Sequence, residues 1–110
     1  MTDRSLSTQV FQILLSLVDQ DLHGYAIIQD VGTRTGNEVR LTASTLYAAV
    51  KRLLDQGLID EVRSRSRDDD PRRRYYRLTP AGRNAARDEA LRLERLAAMA
   101  RAKRLLPTSR

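Results

Sequence analysis

The first apolar pattern runs over residues 5–19. Leu6, Val10, Ile13, Leu14 and Leu17 form one helical stripe, and Phe11, Leu15 and Val18 form a second beside it. A helix apolar over most of its circumference has to be covered on more than one side. A small domain scarcely surrounds a helix by itself, so the pattern points to a partner chain. Asp21-Leu22-His23-Gly24 breaks this helix, and a second starts near Gly24 with Tyr25, Ile27, Ile28 and Val31 as apolar contacts. Gly36 is its expected stop, because glycine adopts the left-handed conformation cheaply. The third helix has the cleanest period. Leu46, Ala49, Val50, Leu53 and Leu54 fall at i, i+3, i+4, i+7 and i+8, with Thr42 as N-cap and Gly57 just past the end. Ser44, Ala48, Lys51, Arg52 and Asp55 make its opposite face, and Tyr47 lies at the boundary.

The period then changes from helical to alternating. Residues 58–64 read as a strand, 65–71 as a turn around Asp68-Asp69-Asp70-Pro71, and 72–78 as the returning strand. Arg74, Tyr76 and Leu78 share one face of that strand and Arg73, Tyr75 and Arg77 the other. Thr79-Pro80 restarts a helix as N-cap and first-turn proline. Helix formers continue to about residue 106, enough for a rod of roughly 40 Å at about 1.5 Å per residue. Ala86, Ala90, Leu93, Ala97 and Ala100 trace its stripe, with Leu96, Met99 and Leu106 on the flank. The expected architecture is mainly α with a small β-hairpin. Residues 1–78 form a winged helix-turn-helix, and residues 79–110 a long C-terminal dimerisation helix with a short tail.

Composition narrows the chemistry. The 110 residues suit one domain with one modest core, and 41% hydrophobic content is too apolar for a disordered chain. Cys is absent and His occurs once, which removes disulfides, thiol nucleophiles, Cys-based metal sites and most His-based triads. No metal or other cofactor is expected. No apolar run approaches the roughly 20 residues of a membrane span. The opening Met-Thr-Asp-Arg-Ser does not resemble a signal peptide, so the cytoplasm is the expected location.

Charge is unevenly spread within the net +6. Residues 1–62 hold five basic and eight acidic side chains, 63–77 hold seven arginines against three aspartates, and 78–110 hold eight against three. Clustered guanidiniums suit phosphate oxygens. In a winged helix the third helix enters the DNA major groove and the hairpin lies over the backbone or an adjacent minor groove. Short side chains at Ser44 and Ala48 permit close approach to base edges, and Lys51 reaches phosphate or guanine. Thr42 and Thr45 stand at the same end of the helix. A winged-helix module that places the arginine stretch on an acidic partner protein is the competing reading. An enzyme would have to rely on Asp68, Asp69 and Asp70, which sit in a predicted loop with nothing apolar to shift their pKa.

Three motifs occur in order. They are Leu22-His23-Gly24-Tyr25-Ala26-Ile27, then Leu41-Thr42-Ala43-Ser44-Thr45-Leu46-Tyr47 with Leu53-Leu54-Asp55-Gln56-Gly57-Leu58-Ile59, then Arg74-Tyr75-Tyr76-Arg77-Leu78-Thr79-Pro80-Ala81-Gly82. Together they strongly resemble the PadR family of bacterial transcriptional regulators, and its subfamily with a single short C-terminal helix. The resemblance implies a homodimeric DNA-binding protein, usually a repressor, whose operator is a palindrome near its own promoter; a small-molecule effector that releases it is of unknown identity. It places Tyr25 near the DNA backbone, where the alternative is a core aromatic. It matches Tyr47 to the tyrosine of the recognition helix, whose boundary position suits a phosphate hydrogen bond or packing. His23 is taken as structural, Tyr76 and Leu78 as core anchors of the wing, and Arg72, Arg73 and Arg74 as its phosphate-contacting end. The expected dimer interface is Phe11, Leu15, Ala86, Ala90, Leu93, Leu96, Ala97 and Ala100. Some similar proteins bind flat aromatic drugs between subunits through an aromatic on the C-terminal helix. This chain has no aromatic residue after Tyr76, which leaves Phe11 alone to face such a pocket.

Overall fold

A computed structural model of the chain describes residues 5–63 and 73–107. Helix α1 spans Thr8–Ser16, strand β1 Leu22–His23, α2 Gly24–Arg34, α3 Ala43–Asp55, β2 Ile59–Val62, β3 Tyr75–Leu78 and α4 Pro80–Ala102. Ser7 caps α1, Thr42 α3 and Thr79 α4, each side chain accepting a hydrogen bond from an otherwise orphaned backbone N–H, and His23 Nδ1 stands at capping distance from the Ala26 N–H of α2. Ile13, Leu14 and Leu17 meet Ile27 and Val31 of α2 and the Leu46, Ala49, Val50 and Leu53 stripe of α3 in one core. Ile59, Tyr76, Leu78 and Ala86 close that core from the sheet and α4.

The sheet has three strands in the order β1-β3-β2, with both pairings antiparallel. β2 and β3 are the expected hairpin strands, shorter than the pattern suggests. The expected turn, residues 65–71, lies outside the described residues. The segment read as a break before α2 is the third strand, with Leu22 opposite Tyr76 and His23 opposite Tyr75. Two residues are too few to show alternation, so only their pairing with β3 makes them a strand.

Two helix ends also differ from the pattern. α1 stops at Ser16, and Leu17 and Val18 donate to the carbonyls of Leu14 and Leu15 in a tightened last turn. Leu6 precedes the helix instead, and its N–H donates to the buried Glu89 carboxylate of α4 at 3.2 Å. α4 ends at Ala102 rather than near residue 106. Arg104 turns left-handed (φ 63°), Leu105 N–H reaches Ala100 C=O at 2.9 Å, and Arg104 N–H reaches Arg101 C=O at 2.9 Å. This is a Schellman ending. Pro107 disfavours helical backbone at residue 106 and cannot continue the ladder.

Candidate nucleic-acid interface

Three elements deliver side chains to one side of the core. The apolar stripe of α3 is buried, which turns Ser44, Ala48, Lys51, Arg52 and Asp55 outward, all exposed. Tyr47 is 51% exposed and Tyr25, at the second position of α2, is 60% exposed. Neither ring is therefore a core aromatic. Thr42 is occupied as cap: its Oγ1 accepts from Thr45 N–H at 3.1 Å and donates to Thr45 Oγ1 at 2.9 Å.

His23, Gly24, Tyr25, Tyr47, Arg73, Arg74 and Tyr76 line one open recess of about 460 Å³. It joins the start of α2, the exposed face of α3 and the base of the wing. Gly24 makes the approach possible, because a Cβ there would lie 2.5 Å from the Tyr47 hydroxyl. Burial, reinforced by neighbouring Tyr47 and Glu61, pushes the Tyr76 phenol above its ordinary value despite Arg74. It is a protonated hydroxyl at neutral pH.

The arginines of the wing are not equivalent. Arg77 makes a two-point contact with Asp21, Nε at 3.1 Å and Nη2 at 2.7 Å, and so fastens β3 to the approach of β1. Arg74 makes a looser, largely solvated pair with Glu61 at 3.3 Å, a kind worth well under ~1 kcal/mol. Arg73 reaches the His23 ring at 2.7 Å. Arg73 and Arg74 therefore border the recess, while Arg77 is committed to the fold. Arg72 lies outside the described residues.

The pattern that defines the Transcriptional regulator PadR-like family matches residues 13–88, from α1 into α4. The chain belongs to this family. A PadR-family regulator from Clostridium difficile R20291 is 25% identical with a TM-score of 0.74, covering 87% of this chain and 97% of that one. Bacillus subtilis PadR, solved in complex with operator DNA, is 25% identical with a TM-score of 0.62 over 74% of this chain and 45% of that chain. Transcriptional regulator Rv3488 of Mycobacterium tuberculosis is 38% identical over 85 residues, 77% of this chain and 75% of that protein. An uncharacterised Lysinibacillus sphaericus protein is 35% identical over 64% of this chain, and the match spans 63% of that protein's length. This PadR-like chain thus belongs to a family of transcriptional regulators and has its winged helix-turn-helix fold.

The sequence pattern points to Tyr25, Tyr47, Arg73 and Arg74 individually, and the fold brings them together with His23 and Gly24. The adjacency of His23-Gly24-Tyr25 was the available signal. The residues expected between subunits lie elsewhere. Phe11 and Leu15 are half-buried on α1, Ala86 is 6% exposed within the chain's own core, and Ala90 is exposed. Leu93 and Leu96 are 40% and 47% exposed, and Ala97 and Ala100 are half-buried.

Proposed function

We propose that this PadR-like protein is a cytoplasmic homodimeric repressor of the short C-terminal helix type, which binds a palindromic operator and releases it on binding a small-molecule effector. The observation that carries the DNA contact is the shared recess. Two exposed tyrosine hydroxyls and two arginines converge beside the outward face of α3. Phosphates take hydrogen bonds from Tyr25, Tyr47, Arg73 and Arg74, and these contacts set the register of the protein on the duplex. Ser44, Ala48 and Lys51 then read base edges, with Thr42 and Thr45 at the helix start. Residues 1–78 act as the DNA-binding unit and 79–110 as the dimerising one. The effector and the repressing sign are carried over from the family resemblance.

The test titrates a labelled upstream fragment against a scrambled duplex across salt concentrations. Two wings and two recognition helices engaging about 6–10 phosphates give a log–log salt slope of roughly −5 to −9. The preferred fragment should carry half-sites about one helical turn apart, or a multiple of it. Equal affinity for both duplexes at every salt concentration would overturn a sequence-specific regulator. Binding to an acidic protein with no affinity for either duplex would favour the protein-interaction module.

A further inference from the structure

Two of the contacts made by His23 cannot be satisfied together by one imidazole. Its Nδ1 lies 3.2 Å from the Ala26 backbone nitrogen, where it accepts the N-cap bond of α2. Its Nε2 lies 2.7 Å from Arg73 Nη1. Both partners are donors, since a guanidinium carries no acceptor and a backbone amide nitrogen only donates. A neutral imidazole has one bare nitrogen and one N–H, and an imidazolium has two N–H groups. Capping α2 through Nδ1 therefore puts a proton on Nε2, facing Arg73. Holding Arg73 through Nε2 puts the proton on Nδ1 and withdraws the cap. The ring itself has little freedom to escape the choice. His23 is paired with Tyr75 across the strands, and the two rings meet edge to face at 5.4 Å and 85°.

We infer that His23 is a positioning residue for the wing, a tautomeric switch that couples Arg73 to the first turn of α2. In the free protein the charge-assisted bond from Arg73, the shorter of the two contacts, selects the Nδ1–H tautomer. Arg73 is then held at the rim of the recess formed with Tyr25, Tyr47 and Arg74. A phosphate oxygen in that recess is a better acceptor for the guanidinium. Once it takes Arg73, the ring proton leaves Nδ1 and one arrives at Nε2 by exchange with water, so the ring stays neutral. Nδ1 now caps α2, and Nε2–H offers one more donor to the same recess. Phosphate binding and the capping of α2 are thereby linked through one side chain. The release step rests on the DNA-binding reading above, whereas the competition between Arg73 and the cap does not.

His23 is the sole histidine of the chain, so histidine-selective ¹⁵N labelling gives one pair of ring-nitrogen resonances. Long-range ¹H–¹⁵N correlation of the full chain at about pH 8, above the ordinary imidazole range, distinguishes the two tautomers. The free wild type is expected to show protonated Nδ1 and bare Nε2. Arg73→Ala in the free protein should interchange the two resonance types. Saturation of the wild type with a random-sequence duplex at low salt should produce the same interchange, because phosphate contacts are independent of sequence. A wild type already protonated at Nε2, an Arg73→Ala variant with unchanged ring shifts, or a saturated complex that keeps the free tautomer would each overturn the switch. A duplex that forms no complex removes the DNA-binding reading and the release step with it. The comparison of wild type with Arg73→Ala then decides the competition alone.

Discussion

A methyl group on Gly24 would sit 2.5 Å from the Tyr47 hydroxyl and 2.9 Å from its Cζ, both at the movable end of that side chain. Gly24→Ala is therefore expected to swing Tyr47 out of the recess and to make the buried Leu46, whose Cδ2 would lie 3.1 Å from the new methyl, give by a few tenths of an ångström. Thermal melting should stay within a few degrees of wild type, and duplex affinity should fall about tenfold per half-site, the value of one charge-assisted hydrogen bond of ~1.5 kcal/mol. Unchanged affinity would mean that Tyr47 packs rather than contacts. The two arginines at the recess make a different prediction. Replacing Arg73 and Arg74 together with Ala should weaken every duplex alike and flatten the salt slope by about 2 per wing. A bulky residue at Ser44 or Ala48 should instead erase operator preference and spare non-specific binding, as measured by competition between upstream and scrambled duplexes. These expectations follow from side-chain chemistry together with the family resemblance. The commitment of Arg77 to Asp21 was not legible in the sequence, because 56 residues separate the partners.

Helix ends show where local rules suffice. Gly36 and Gly57, expected stops, have φ of 59° and 72°, and the N–H groups of Asn37 and Leu58 bond back to the carbonyls of Gly32 and Leu53. Between α1 and α2 the joint is polar. Arg34 donates to Asp30, Gln12 and the Ser16 hydroxyl, and Ser16 donates to Asp30 at 2.7 Å. Burial raises the Asp30 carboxyl, but the Arg34 and Ser16 hydrogen bonds and the Arg34 charge outweigh it and leave it below its ordinary value. The ionised form is therefore the one that stabilises the fold. Its contribution is complete above the ordinary aspartate range and is lost as pH falls through the lowered value. Asp30→Asn should cost about 1–2 kcal/mol at neutral pH and remove part of the acid limb of the stability curve, read by denaturant unfolding from pH 7 downward. An acid limb identical to wild type would assign that limb to other carboxylates.

Over the whole molecule, the exposure of α4 changes along its length. Gly82, Ala86 and Glu89 are buried against the chain's own domain, and Glu89 is also bound by Arg92. Leu93, Ala97 and Ala100 continue that helical row toward a C-terminal half whose Leu91, Leu93, Leu96 and Met99 stand exposed. A second copy related by a two-fold axis would cover this row together with the half-buried Phe11 and Leu15. Replacing Leu93 and Leu96 with Glu should leave the monomer folded, since both are substantially exposed, and cost the dimer several kcal/mol by burying charge in the seam. Light scattering at micromolar concentration should report monomer, with operator affinity lost in parallel. A folded double variant that still dimerises would place the seam elsewhere.

The sequence by itself determined the four helices, the hairpin strands, the Thr42 and Thr79 helix caps and the outward face of α3. Each follows from periods and capping chemistry spanning only a few residues. Tertiary structure alone decided the third strand at Leu22–His23, whose two residues have no period of their own and pair only because β3 lies beside them. It also decided which arginines belong to the fold and which to the recess. Ala86 was assigned to a subunit seam from its place in a continuous stripe, yet it packs into the domain core. Periodicity reports which face of a helix is covered, and only the three-dimensional path of the chain determines what covers it at each turn.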